Sequence, residues 1–270
     1  MTHVFDIDTA MEPAGDGRYE GRMSQRWWVV AGPNGGYVAA MILRGLTHAV
    51  GDESRSPRSL TVHFTERPVE GPVVLHTTVE RVGHKMTTIS GRLCQGERTL
   101  AVALAAFSAD RSGFEHHEEQ MPAVPGPERC PGSEDHTGIL PPMMVQLDTR
   151  WARGPQPFRG GPASRAHNGA WIRATPERRA DAAFVALLTD ALPPASFSVV
   201  RPADAVTAVP TVDLTIHFRN HVPEGAGPGD FYLAAFSTRT ATGGFVEEDG
   251  EIWTRDGLLL AQSRQLALVR

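Results

Sequence analysis

The residues of this chain that could do chemistry are few, and each is a polar group set in an apolar run. Asp190 lies on one helical stripe with Ala183, Ala186 and Leu187, at spacings of seven, four and three, so its carboxylate is expected to point with the apolar face toward a sheet. A negative charge in the last turn of a helix opposes the macrodipole, so capping gives no reason for it. A carboxylate partly withdrawn from water holds its proton more tightly, which suits a base that takes a proton near neutral pH. A solvated Asp at a frayed helix end fits the same residues. Thr211 and Asp213 alternate with Val212 and Leu214, so both are expected on one face at the start of a strand, with Thr215 and His217 continuing it. Threonine is also an ordinary strand former. Gln265 shares a face with Ser263 and Ala267, where its amide could both donate to and accept from a water, although a plain strand-surface Gln reads alike. Asp213 is the alternative carboxylate to Asp190.

Other chemistries lack their residues. There is no G-x-S-x-G elbow and no P-loop, which removes serine-hydrolase and nucleotide-phosphate readings. His116 and His117 are adjacent in a polar connector, a spacing that does not converge on one ion, and no metal site is expected. Cys94 and Cys130 cannot build a disulfide framework or a cysteine-rich zinc site.

The elements that must position these residues occur twice. Residues 60–64 read LTVHF and residues 214–218 read LTIHF, 154 positions apart. Each is followed by a Pro/Gly turn region, an alternating apolar run, a short turn (QGE at 95–97, RDG at 255–257) and a second apolar run. Each is preceded by an Ala-rich apolar segment of helical length, GGYVAAMILRGLTHAV at 35–50 and ADAAFVALLTDAL at 180–192, the second ended by Pro193-Pro194. The pattern is α+β, a curved antiparallel sheet wrapped around a central helix in each half, which is what a double hotdog looks like. The Pro-, Gly- and charge-rich stretch at 121–142 reads as a connection. The expected division is a first hotdog over 1–115, a linker over 116–142 and a second hotdog over 143–270.

Aligning the halves supplies a control. Leu43 stands opposite Asp190, Pro57 opposite Thr211 and Ala105 opposite Gln265, so the polar set is confined to the second half. One active site per chain is the expectation.

Composition narrows the partners. The 270 residues carry 26 Lys+Arg against 31 Asp+Glu, a formal charge of −5, with no basic window between aromatics, so nucleic acid is not expected. With 41% hydrophobic and 21% charged residues the chain is globular rather than disordered. No apolar run approaches the roughly 20 residues of a membrane span, and the reading is cytoplasmic.

Several segments resemble the acyl-CoA thioesterase II family, whose members fuse two hotdogs in one chain. They are RSLTVHFTERP at 58–68, VERVGHKMTTISGRL at 79–93, GFEHHEEQMP at 113–122, PTVDLTIHF at 210–218 and DGLLLAQSRQLALV at 256–269. The resemblance implies hydrolysis of an acyl-CoA thioester to CoA and a free acid, in lipid metabolism and without a metal or cofactor. It implies a catalytic trio falling on Asp190, Thr211 and Gln265, and association into a homodimer or higher even oligomer. The start of the first helix, Asn34-Gly35-Gly36-Tyr37, is expected to approach the thioester, because glycine lets backbone come near a ligand. The alternatives are a catalytically silent acyl-CoA-binding or scaffolding protein, and an enoyl-CoA hydratase, whose Gly-Asp-x-Asn-Pro context is absent. The residues leave open the acyl chain, the contacts to the CoA phosphates, and whether water attacks directly or through an anhydride.

Overall fold

The structure, a computed structural model, describes residues 2–29, 32–132, 141–155, 163–200, 206 and 208–270. In the first half α1 (Val4–Asp8), β1 (Glu12–Pro13) and β2 (Arg18–Met23) precede α2 (Gly35–Val50), and β3 (Ser56–Phe64), β4 (Gly71–Val82), β5 (Thr87–Gln95) and β6 (Arg98–Ser108) follow it. The second half repeats the plan. There α3 (Pro142–Val145), β7 (Leu147–Arg153) and β8 (Ala166–Ala174) precede α4 (Ala182–Leu188). Beyond α4 come β9 (Thr211–Phe218), β10 (Tyr232–Thr238), β11 (Ala241–Thr242), β12 (Phe245–Thr254) and β13 (Leu259–Leu268).

These strands form one sheet in the order β1-β2-β4-β5-β6-β3-β9-β13-β12-β10-β8-β7, with β11 against β12. The halves meet where β3 pairs antiparallel with β9: Leu60 faces Ile216, Thr61 faces Thr215 and Val62 faces Leu214. This register maps onto itself when 60–64 and 214–218 are exchanged. A local two-fold axis therefore passes between Thr61 and Thr215, whose hydroxyl oxygens are 3.1 Å apart. Outward from that seam β3-β6-β5-β4-β2 mirrors β9-β13-β12-β10-β8. The repeat is thus present in strand register as well as in sequence, and the fold is the double hotdog.

Helix α2 forms because Asn34 caps it, its side chain accepting from the Tyr37 N–H at 2.9 Å, and it stops at Gly51, which takes the left-handed conformation (φ 61°). Buried residues lie on every side of it, from Gly36 to Leu46, as a helix enclosed by a sheet requires. Alternate residues of the strands supply the other wall, among them Leu60 and Val62 of β3 and Ala101, Ala103, Ala105 and Phe107 of β6. Helix α4 is capped in the same way by Asp181, which accepts from the Phe184 N–H. Its start is tied to the first half by a knot of charges, in which Arg44 and Arg178 each bridge Asp6 and Asp181.

The second helix is shorter than the sequence reading has it. It ends at Leu188 rather than 192, and Thr189 and Asp190 form a turn. The Thr189 hydroxyl and N–H donate to the Ala186 carbonyl and the Asp190 and Ala191 N–H groups to those of Leu187 and Leu188, so the turn satisfies the helix end, and Asn34 Nδ2 donates to the Asp190 carbonyl at 2.5 Å. Asp190 accordingly lies just beyond α4, not in its last turn.

Of the expected linker, Met121, Val124 and Cys130 pack over the back of the second half against Trp171, Leu233 and Trp253, and the Trp171 indole donates to the Pro125 carbonyl at 2.8 Å. Residues 133–140 lie outside the described residues.

Candidate active site

The turn after α4 brings Asp190 against the start of α2. Its Oδ2 accepts from the Gly35 N–H at 2.8 Å, the Gly36 N–H at 3.2 Å and Asn34 Nδ2 at 2.9 Å. The carboxylate, just past the negative end of α4, therefore sits at the positive end of α2. Two glycines are needed for this approach. A Cβ on Gly35 would stand 3.0 Å from Asp190 Oδ2, and one on Gly36 would stand 2.5 Å from the Leu187 carbonyl oxygen. Burial drives the Asp190 pKa up to about 6, while the amides of Gly36 and Gly35 and the side chain of Gln265 pull it down.

A bulge aims Thr211 at this carboxylate's neighbour. In the β9–β13 pair Leu214 faces Gln265 and Asp213 faces Leu266, but Ala267 faces Thr211, so Val212 is the extra residue. One added residue reverses the alternation, and Thr211 joins the inward face that carries Leu214 and Gln265. The expectation that Thr211 and Asp213 share a face is therefore corrected. Asp213 belongs with Thr215 and exposed His217 on the opposite side, where it accepts from the Leu266 N–H at 3.4 Å. The Thr211 hydroxyl donates to Gln265 Oε1 at 2.9 Å. Asp190, Thr211 and Gln265 thus come together from a turn and two strands, with Gln265 in the middle.

Tyr37 turns into the core. Its ring stacks on Trp27 at a centroid distance of 5.6 Å, and its hydroxyl donates to the Asp8 carbonyl and accepts from the Ser24 N–H. Of the segment 34–37, Asn34, Gly35 and Gly36 border the carboxylate.

A fourth polar residue, absent from the sequence reading, completes the cluster. Glu248 on β12 faces Gln265 across the strand pair and is only 5% exposed. Its Oε1 accepts from Gln265 Nε2 at 2.8 Å, and its Oε2 accepts from the Ala195 N–H. Burial pushes its pKa up to about 7, assisted by the negative charges of Asp190 and Glu247. The repeat held the signal for it. Glu248 faces Gln265 as Ile89 faces Ala105, so an acid stands where the first half has a buried isoleucine. Among the described residues no group of three or more His, Cys, Asp or Glu side chains could hold a metal ion.

Two family descriptions match the chain, the acyl-CoA thioesterase N-terminal domain over residues 24–108 and the acyl-CoA thioesterase C-terminal domain over residues 120–269. The chain belongs to the acyl-CoA thioesterase family. An uncharacterized protein of Mycobacterium tuberculosis is 25% identical over 287 aligned positions, covering 93% of this chain and 90% of that one. A hotdog-fold protein of unknown function from Alicyclobacillus acidocaldarius superposes with a TM-score of 0.88 at 27% identity, covering 100% and 99% of the two chains. An acyl-CoA thioesterase II from Mycobacterium marinum shares the fold with a TM-score of 0.78 at 22% identity, covering 99% and 98%.

Within this member of the family the two-fold axis makes the halves a test of one another. The place related to the cluster holds a cavity of about 200 Å³ bordered by Pro57, Asp181, Ala182 and Val185. Pro57 faces Phe107 as Thr211 faces Ala267, and Ala105 faces Leu60 as Gln265 faces Leu214. Leu43 and Asp190 each stand nine residues beyond the capping residue of their helices, Asn34 and Asp181. The scaffold is doubled, and the polar set occurs once.

Proposed function

We propose that this member of the acyl-CoA thioesterase family hydrolyses an acyl-CoA thioester to CoA and a free carboxylic acid, with Asp190 as the base, Thr211 as the group that holds the water and Gln265 as the group that orients the Thr211 hydroxyl. The observation that carries the reading is the single cluster of Asp190, Thr211 and Gln265 in a scaffold whose other half offers Leu43, Pro57 and Ala105. A fold that needed these polar residues for stability would carry them twice.

The chemistry follows from the donors and acceptors. The Thr211 proton is given to Gln265, so its oxygen lone pairs are open to a hydrogen of the water. The other hydrogen of that water goes to Asp190, which leaves an oxygen lone pair directed at the thioester carbonyl carbon. With a pKa of about 6 Asp190 is ionised at neutral pH and still basic enough to take the proton as the C–O bond forms. Collapse of the tetrahedral intermediate breaks the C–S bond, and the CoA thiolate recovers the proton from Asp190. The start of α2, whose Gly35 and Gly36 N–H groups hold Asp190, sets the positive end of the helix beside the reacting carbonyl.

The test is to mix the protein with acyl-CoAs from acetyl to palmitoyl and with an enoyl-CoA, following free thiol and the enoyl chromophore, and to measure binding. Thiol release with the enoyl chromophore retained supports the reading. Loss of the enoyl chromophore without thiol points to hydration, and binding without either reaction points to a silent acyl-CoA-binding protein.

A further inference from the structure

The cluster contains one ionisable group that the proposed reaction leaves unused. Glu248 is buried on β12 in the register position that Ile89 fills in the first half, so the fold accepts a hydrocarbon there. Withdrawing a carboxylate from water costs free energy unless its oxygens find partners, and both do. Oε1 takes an N–H of the Gln265 amide at 2.8 Å and Oε2 takes the Ala195 N–H. The negative charges that act on it are Asp190, from the turn after α4, and Glu247, its neighbour on the other face of β12.

What these bonds decide is the direction of an amide. A glutamine can present either its oxygen or its nitrogen to a neighbour, whereas Glu248 once ionised, above a pH of about 7, only accepts. With Glu248 accepting, Gln265 must turn its nitrogen toward β12, and its oxygen then receives the Thr211 hydroxyl at 2.9 Å. If the amide were reversed, its nitrogen would donate to Thr211, and the hydroxyl hydrogen would be free to bind the water's attacking lone pair. We propose that Glu248 is a positioning residue, which acts through Gln265 by fixing the amide orientation that leaves the water's lone pair free. The role rests on the thioesterase reading, and no contact of Glu248 with substrate is required.

The test uses the full chain as wild type, Glu248→Gln, Gln265→Ala and the double variant. Thiol release from an acyl-CoA that the wild type hydrolyses should fall about 10-fold to 100-fold in kcat for Glu248→Gln, with KM within about twofold. Adding Glu248→Gln to Gln265→Ala should cost less than about twofold more, because the amide it orients is gone. Because only the ionised carboxylate fixes the amide, the wild type should gain activity as pH rises through about 7 and Glu248→Gln should lack that step, an effect that a merely structural role would not produce. Full kcat in Glu248→Gln overturns the proposal, and so do losses that multiply in the double variant. A second readout does not depend on turnover: the side-chain ¹⁵N amide signal of Gln265, identified by its disappearance in Gln265→Ala, should shift in Glu248→Gln. An unmoved signal overturns the proposal. A wild type that releases thiol from no acyl-CoA defeats the thioesterase reading instead, while the amide signal still decides whether Glu248 holds Gln265.

Discussion

Gln265 and Ala105 occupy the same place in the two halves, one facing Leu214 and the other Leu60 across equivalent strand pairs. The alanine is the background against which the glutamine is read. Changes at the first-half positions should touch packing rather than chemistry. Leu43 is 1% exposed, and Leu43→Ala should cost about 2–5 kcal/mol of stability by leaving a cavity. Chemical denaturation and thiol release on the same preparation check this, with the effect on turnover confined to acyl chain-length preference.

The start of α2 has no room for a side chain where it meets the end of α4. A methyl on Gly36 would stand 2.5 Å from the Leu187 carbonyl oxygen, an atom fixed in a helix backbone. Gly36→Ala should therefore push the two helices apart, lowering stability by about 1–3 kcal/mol and displacing Asp190. Thermal unfolding and turnover of this variant should fall together.

Both buried carboxylates make stability depend on pH in a defined direction. Asp190 has its pKa raised from 3.8 to about 6, so between those values the folded chain keeps a proton that the unfolded chain has released. Stability therefore declines as pH rises through that window and the cost is complete above it. Asp190→Asn lacks this penalty. Its stability advantage over the wild type should widen by roughly 1–2 kcal/mol between pH of about 5 and about 8, read from denaturant midpoints at each pH.

How much of this was legible in the residues follows from what each signal requires. LTVHF and LTIHF marked the strands that meet at the two-fold axis, because a duplicated strand keeps its apolar face. The trio came from resemblance, and its chemical sense from polar residues in apolar runs. Two features escaped. The bulge at Val212 that turns Thr211 inward and Asp213 outward depends on which residue of β13 each one faces, and a period-two reading of one strand carries no such information. Glu248 sits in FVEEDGE, where it reads as one of several acids at a turn. Only the pairing of β12 with β13 sets it against Gln265. Asn34 escaped in part: a capping residue is legible, but the bonds it sends to the Asp190 carbonyl and carboxylate cross 156 positions of sequence.

Assembly is a separate expectation. One chain already pairs the two hotdogs across β3 and β9, and further association into a dimer or higher even oligomer should appear as a light-scattering mass of at least twice 29.2 kDa at micromolar concentration.

The acid limb of catalysis should report the carboxylate. If Asp190 is the base, kcat/KM should fall about tenfold per pH unit below about 6, since the free enzyme must hold Asp190 ionised.

The central claim is that a water activated at Asp190 does the work, and the measurement that meets it most directly is the turnover of Asp190→Asn beside its affinity for a non-hydrolysable acyl-CoA. The substitution keeps the shape of the side chain and removes the base. The account predicts a loss of kcat of roughly 100-fold to 10,000-fold, with the dissociation constant within a few-fold of the wild type. Near-normal turnover in Asp190→Asn, with activity abolished instead by Asp213→Asn on the opposite face of β9, would contradict it.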